Sequence, residues 1–206
     1  EKDININDKI VGSLSLHSVL IKNLGSEYAK EHKYKPNALA LSLRTSNTKT
    51  IGVILPQIVH YFFSSILSGI EDEAEKEGYR VIITQSNEIY EREVRGARTL
   101  QESRVCGVLA SVAKTTTLFS HFQELIDSGV PLVFFDRICT GILTDRVVVD
   151  DYAGVQSAVE YLIKTGCRRI AFYGSESHMP ISRNRRMGYE DALRKNGIAI
   201  DKSLMS

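Results

Sequence analysis

Cysteine is scarce in this chain: Cys106, Cys139 and Cys167 are the only three, and no C-x-x-C pair occurs. An odd number at wide spacing argues against a disulfide framework and against a zinc site. The three read as small buried hydrophobes. An excess of one charge is also lacking, with 26 Lys and Arg against 25 Asp and Glu and a net charge of +1. The molecule as a whole is therefore no obvious polyanion binder, although a local basic region is compatible with that balance. No apolar run approaches the ~20 residues of a membrane helix. The opening Glu1-Lys2-Asp3 has no apolar stretch behind a basic start, so nothing reads as a secretion signal. The expectation is a cytoplasmic protein with no membrane partner.

Fingerprints of enzyme chemistry are absent too. No phosphate-cradling G-x-x-x-x-G-K-[ST] loop and no G-x-G-x-x-G follows the first apolar run, and there is no H-E-x-x-H. The histidines His17, His32, His60, His121 and His178 are dispersed, which shows neither a metal cluster nor a triad. Only tertiary structure could bring His178 to Asp150. The expectation is a protein that is not an enzyme, with no cofactor, no metal and no catalytic residues.

What is present is a soluble-domain composition, 43% hydrophobic and 25% charged, with ample length for a buried core. From Ile51 onward, short apolar runs alternate with amphipathic stretches. Ile51 to Leu55, stopped by Pro56, reads as a buried strand. A helix is expected from about 62 to 77, with Phe63, Ile66, Leu67, Ile70 and Ala74 on one face and Gly78 as its terminal cap. Further strands are expected at 80–84, 105–110, 132–135, 146–149 and 169–173. Further helices are expected at 90–102, 117–128, 151–164 (capped by Asp151) and 183–195.

Such alternation implies a doubly wound parallel sheet covered on both faces. Right-handed crossovers place the loops after the strands on one edge, where open α/β sheets bind ligands. Pro56, Asp136 and the segment after Tyr173 are therefore the positions to watch. Residues 1–50 lack the alternation and hold eight Lys and Arg against five Asp and Glu.

The stretch EYAKEHKYKPNALALSLRTSNTKTIGVIL, from Glu27 to Leu55, resembles the end of the DNA-binding headpiece, the hinge and the first strand of the lactose-repressor (LacI/GalR) family. The resemblance continues through Ser68 to Glu71, Pro131 to Arg137, VDDYAGVQSAVEYLIKTGCRRIAFYG from Val149, and Arg185 to Tyr189. No single motif is decisive; their order and spacing together are. The resemblance implies an α/β, periplasmic-binding-protein-like sensor domain, incomplete, preceded by a degenerate helical headpiece and a hinge helix. The implied division is a headpiece remnant at 1–35, hinge and linker at 36–50, a first subdomain at 51–148 and the start of a truncated second one at 149–206. Ser15 to Ile21 stands where the family's recognition helix begins, without its arginine.

The implied function is that of a ligand-responsive transcriptional repressor, acting as a homodimer on operator DNA with a sugar-like effector. By the same resemblance, Leu43 is the hinge residue that wedges between base pairs, with Asn37 and Ala40 beside it. A small residue allows close backbone approach, and an apolar wedge unstacks a base step. Lys35 and Arg44 suit phosphate contacts. The implied effector pocket takes Pro56, Phe62, Phe63 and Asp136 from the first subdomain and Arg185 from the second. Aromatic faces with a few polar groups are what such pockets use. The alternative is a periplasmic-type solute-binding protein without DNA binding, which shares the fold from Ile51 onward.

Overall fold

A computed structural model describes residues 27–28, 31–32, 48–175 and 178–206. The chain divides into two compact units, Glu1–Ser46 and Asn47–Ser206. In the first, the described residues form part of a helical turn, in which His32 donates its backbone N–H to the Tyr28 carbonyl at 3.0 Å and the two rings stack 4.0 Å apart. The expected DNA contacts Lys35, Asn37, Ala40, Leu43 and Arg44 lie outside the described residues.

The second unit is built on a five-stranded parallel sheet. Its strands are β1 (Thr50–Leu55), β2 (Arg80–Gln85), β3 (Gly107–Ala110), β4 (Leu132–Phe135) and β5 (Asp145–Val147), in the order β2-β1-β3-β4-β5. The helices between them are α1 (Tyr61–Lys76), α2 (Tyr90–Glu102) and α3 (Ser120–Asp127). The two-residue period of β1 decides which core each side chain joins. Ile54 packs with Leu100, Phe122, Leu125 and Phe134, under α2 and α3. Val53 and Leu55 point the other way, onto Phe63 and Leu67 of α1. Both faces are thus dry, as a parallel sheet requires. Each buried Leu or Phe stabilises by about 1.5–3 kcal/mol. Phe122 and Phe134 meet edge to face at 5.1 Å.

Beyond the sheet, α4 (Asp151–Lys164) lies against α5 (Pro180–Lys195) over a third core of Val159, Ile163, Ile170, Tyr189, Ala192 and Leu193. The buried Tyr189 hydroxyl donates to the Ile170 carbonyl at 2.8 Å.

Several boundaries differ from the sequence expectation, each for a local reason. The cap of α4 is Asp150, whose Oδ1 accepts from Ala153 N at 2.9 Å, because the Asp151 carboxylate is taken by Arg185. β3 starts at Gly107 because the Val105 N–H is spent closing α2 onto the Leu100 carbonyl. α3 starts only at Ser120; Thr115 and Thr116 are tied by their hydroxyls to the Glu88 carbonyl and to Glu93. Within 169–173 the pairing is a parallel bridge from Phe172 to Met205, with the Phe172 N–H donating to the Leu204 carbonyl and the Ser206 N–H to the Phe172 carbonyl. Cys139 is buried and Cys106 half-buried, as small hydrophobes would be. Cys167 is exposed, just past the end of α4.

Candidate functional site

The carboxyl edge of the sheet is where the strands hand over to loops. β4 ends in Phe135, and the next residue, Asp136, turns the chain with a left-handed φ of 57°. That conformation is uncommon for a residue other than glycine, and Asp tolerates it better than most. The Asp136 N–H donates to the Val147 carbonyl at 3.1 Å, so β5 holds the turn in place. The Asp136 carboxylate, 12% exposed, is thereby set into a cleft.

The cleft has a volume of about 400 Å³. Phe62, Phe63, Asp136 and Arg185 all line it, together with Lys114 and Ser182. Four of the five expected effector residues therefore converge from distant parts of the chain. The fifth, Pro56, does not line it; it is fully buried at the end of β1. The loop after β1 turns inward there before α1 presents its aromatic pair at the cleft. Phe62 is 52% exposed and offers an open ring face, whereas Phe63 is 4% exposed and is mainly core. The rings meet edge to face at 5.2 Å.

The polar groups are partly committed already. Arg137 donates to both Glu88 oxygens at 2.7 and 2.9 Å, and its guanidinium lies 5.6 Å from the Phe63 ring centre. Glu88 also accepts from the Lys114 backbone N–H at 2.8 Å. These bonds lock the loops after β2, β3 and β4 into one rim. Arg185 Nε donates to Asp151 Oδ1 at 2.7 Å, so it pairs within its own segment and not with Asp136. Burial pushes the Asp136 carboxyl above its ordinary value; the charges of Arg137 and Arg185 pull against the rise, and Asp151 and Glu88 add to it. A half-dry carboxylate, a guanidinium and an open ring face can together orient a hydroxyl-bearing ligand.

Across the mouth, the ring nitrogen Nε2 of His178 lies 2.8 Å from the Lys114 carbonyl oxygen. His178 is thus engaged with the β3 loop, and Asp150 with its own helix, so the two form no catalytic pair. Lys114 and Ser182 escaped the sequence reading. The signal for Lys114 was available, because it follows β3 at the same carboxyl edge as Asp136. Ser182 had none, because its place depends on where α5 docks.

Residues 48–206 match the family model described as periplasmic binding proteins and sugar binding domain of the LacI family. The ribose operon repressor of Bacillus subtilis (strain 168) is 32% identical over 162 residues, covering 79% of this chain and 48% of that protein. A putative ribose operon repressor from Burkholderia thailandensis superposes with a TM-score of 0.72 at 26% identity, over 77% of this chain and 60% of that one. A periplasmic binding protein/LacI transcriptional regulator from Alkaliphilus metalliredigens QYMF, solved in complex with D-xylulofuranose, gives 0.64 at 28% identity, over 74% and 55%. The chain spans about half the length of the curated relatives it matches.

Proposed function

The chain belongs to the family of periplasmic binding proteins and LacI-type sugar binding domains, and on that premise we propose that the whole protein is a cytoplasmic, ligand-responsive transcriptional repressor. The observation that carries the proposal is the convergence of Phe62, Phe63, Asp136 and Arg185 on one cleft. The curated relatives are named as repressors or transcriptional regulators, which favours this reading over a solute-binding protein without DNA binding. No described helix is long and apolar enough to cross a membrane.

The proposed division follows the sequence: a headpiece remnant at 1–35, a hinge at 36–50, and sensor subdomains at 51–148 and from 149. In the proposed mechanism, a sugar-like effector sits between Asp136 on the sheet edge and Arg185 on α5. A ligand that prefers one arrangement of the two walls biases the hinge toward order or disorder, and operator affinity shifts by the difference in its affinity for the two states. Two hinges are needed to wedge one operator site, so the working unit is a homodimer. Lys35 and Arg44 would contact phosphates, and Leu43, with Asn37 and Ala40 beside it, would enter the minor groove. No catalytic step is assigned.

The test is operator binding by the full-length protein with and without a panel of sugars and related polar metabolites. At least one compound should both raise the melting temperature and change operator affinity. Leu43→Ala should cut specific DNA binding while leaving effector affinity nearly unchanged. Equal loss of both would remove Leu43 from the DNA interface. A panel that moves neither quantity would overturn the regulator reading.

A further inference from the structure

The ionic pairs around the cleft leave an imbalance. Arg137 is matched by Glu88 and Arg185 by Asp151, each at 2.7 Å. Lys114 and Arg183 have no carboxylate partner among the described residues. Lys114 lines the cleft, and Arg183 follows the cleft-lining Ser182 in the first turn of α5. The carboxylate that lines the cleft, Asp136, lies 3.9 Å from Arg137, and burial opposes its ionisation.

The start of α5 adds to the same field. This helix has 16 residues, no side-chain cap hydrogen bond at Met179 and no acidic residue in its first turn. Its free N–H groups and dipole therefore favour negative charge. In that turn, Ser182 is only 8% exposed and lines the cleft. Its hydroxyl makes no hydrogen bond to any described residue. With the residue otherwise buried and its hydroxyl free at the cleft, Ser182 is placed to donate to a ligand atom.

We propose that the effector carries an anionic oxygen group, a phosphate ester or a carboxylate, held between Lys114 and the first turn of α5 at Ser182, with Arg183 beside it. Cation and hydroxyl stand on opposite walls, Lys114 on the loop after β3 and Ser182 on α5. An anion bridging them draws the walls together, and the Lys114–His178 contact already links the same two segments. Bonds to a charged group are about twice as strong as neutral ones. The anion would then supply much of the preference for the closed arrangement. This inference rests on the cleft being the effector site.

The experiment is a titration of the full-length protein, followed by thermal shift and calorimetry. The probes are inorganic phosphate, glucose and ribose, their phosphate esters glucose 6-phosphate and ribose 5-phosphate, and glucuronate. Sodium chloride of equal ionic strength is the reference. The proposal expects phosphate at a few millimolar to raise the melting temperature above the chloride reference, and at least one phosphate ester or glucuronate to bind about tenfold more tightly than its neutral parent. The two acidic arms then identify which anion is preferred. Lys114→Met, at an exposed position, should abolish the phosphate shift and bring the ester-to-parent affinity ratio toward one. Lys76→Met, on the far part of α1, should retain both. Neutral sugars that bind as well as their acidic counterparts would overturn the proposal and leave the effector reading standing. Silence from phosphate and from every acidic probe would overturn the proposal, whereas the effector reading stands or falls with the wider metabolite panel and its effect on operator binding.

Discussion

Asp136 carries two costs in one residue, a left-handed backbone and a carboxyl held above its ordinary value by burial. Its native state keeps a proton to higher pH than the unfolded chain does. Stability therefore falls as pH rises from the ordinary carboxylate range through the raised native value, and above that the ionised group is a standing penalty. Asp136→Asn removes the charge and keeps a side chain that tolerates positive φ. At pH 7 it should unfold at no lower urea concentration than the wild type, and the fall in stability across the acid range should flatten. Effector affinity should drop by about tenfold or more, as for a lost hydrogen bond to a charged group. Unchanged affinity on calorimetry would reduce Asp136 to a turn residue. Gly188 shows a different single-residue constraint. A Cβ there would strike the Tyr152 carbonyl oxygen and come within 3.2 Å of Gln156 N, both backbone atoms of α4. Gly188→Ala should cost about 1–3 kcal/mol as an overpacking change, measurable by denaturant unfolding. A neutral result would mean that α5 can move away from α4 freely.

At the scale of elements, α2 and α3 are joined by a buried carboxylate. Glu93 is fully buried and accepts from Ala113 N at 2.6 Å and Thr116 Oγ1 at 2.7 Å, with His121 Nε2 at 3.1 Å. One side chain of α2 thus anchors the loop that carries Lys114. Glu93→Ala leaves three polar partners unsatisfied and should cost about 3–5 kcal/mol. It should also blunt effector binding, because that loop loses its anchor. Loss of stability with full binding would show that the loop is held by Glu88 alone. The cap of α4 is a smaller case. Asp150→Ala should cost about 1 kcal/mol, read as a lower midpoint with an unchanged slope.

For the whole molecule, a ligand that binds only the folded state stabilises it by mass action. Effector at a hundred times its dissociation constant should raise the unfolding free energy by about 2.7 kcal/mol. Amide exchange should slow on both walls together, over 111–116 and in the first turn of α5. Protection confined to one wall would contradict a ligand bridging the two. The coupling to DNA then depends on how much of this energy differs between the open and closed arrangements.

Periodicity and turn residues determined the architecture. Apolar runs of strand length ending at Pro56 and Asp136, and amphipathic stretches closed by Gly78, Gly129 and Gly166, are local signals, and β1, β2, β4, α1, α2 and α4 fall within a residue or so of where those signals place them. The carboxyl edge followed from chirality alone, and with it Asp136. Tertiary structure decided what no local rule encodes. Pro56 turned inward because the end of β1 is sealed by core packing, and Phe62 and Phe63, adjacent in sequence, were divided between cleft and interior by the face of α1 each occupies. Arg185 was assigned to Asp151 by the docking of α5 on α4. Glu93, in a helix that reads as polar, was buried because its partners lie 20 to 28 positions away. Ser182 became a candidate ligand contact only when two distant segments closed around it.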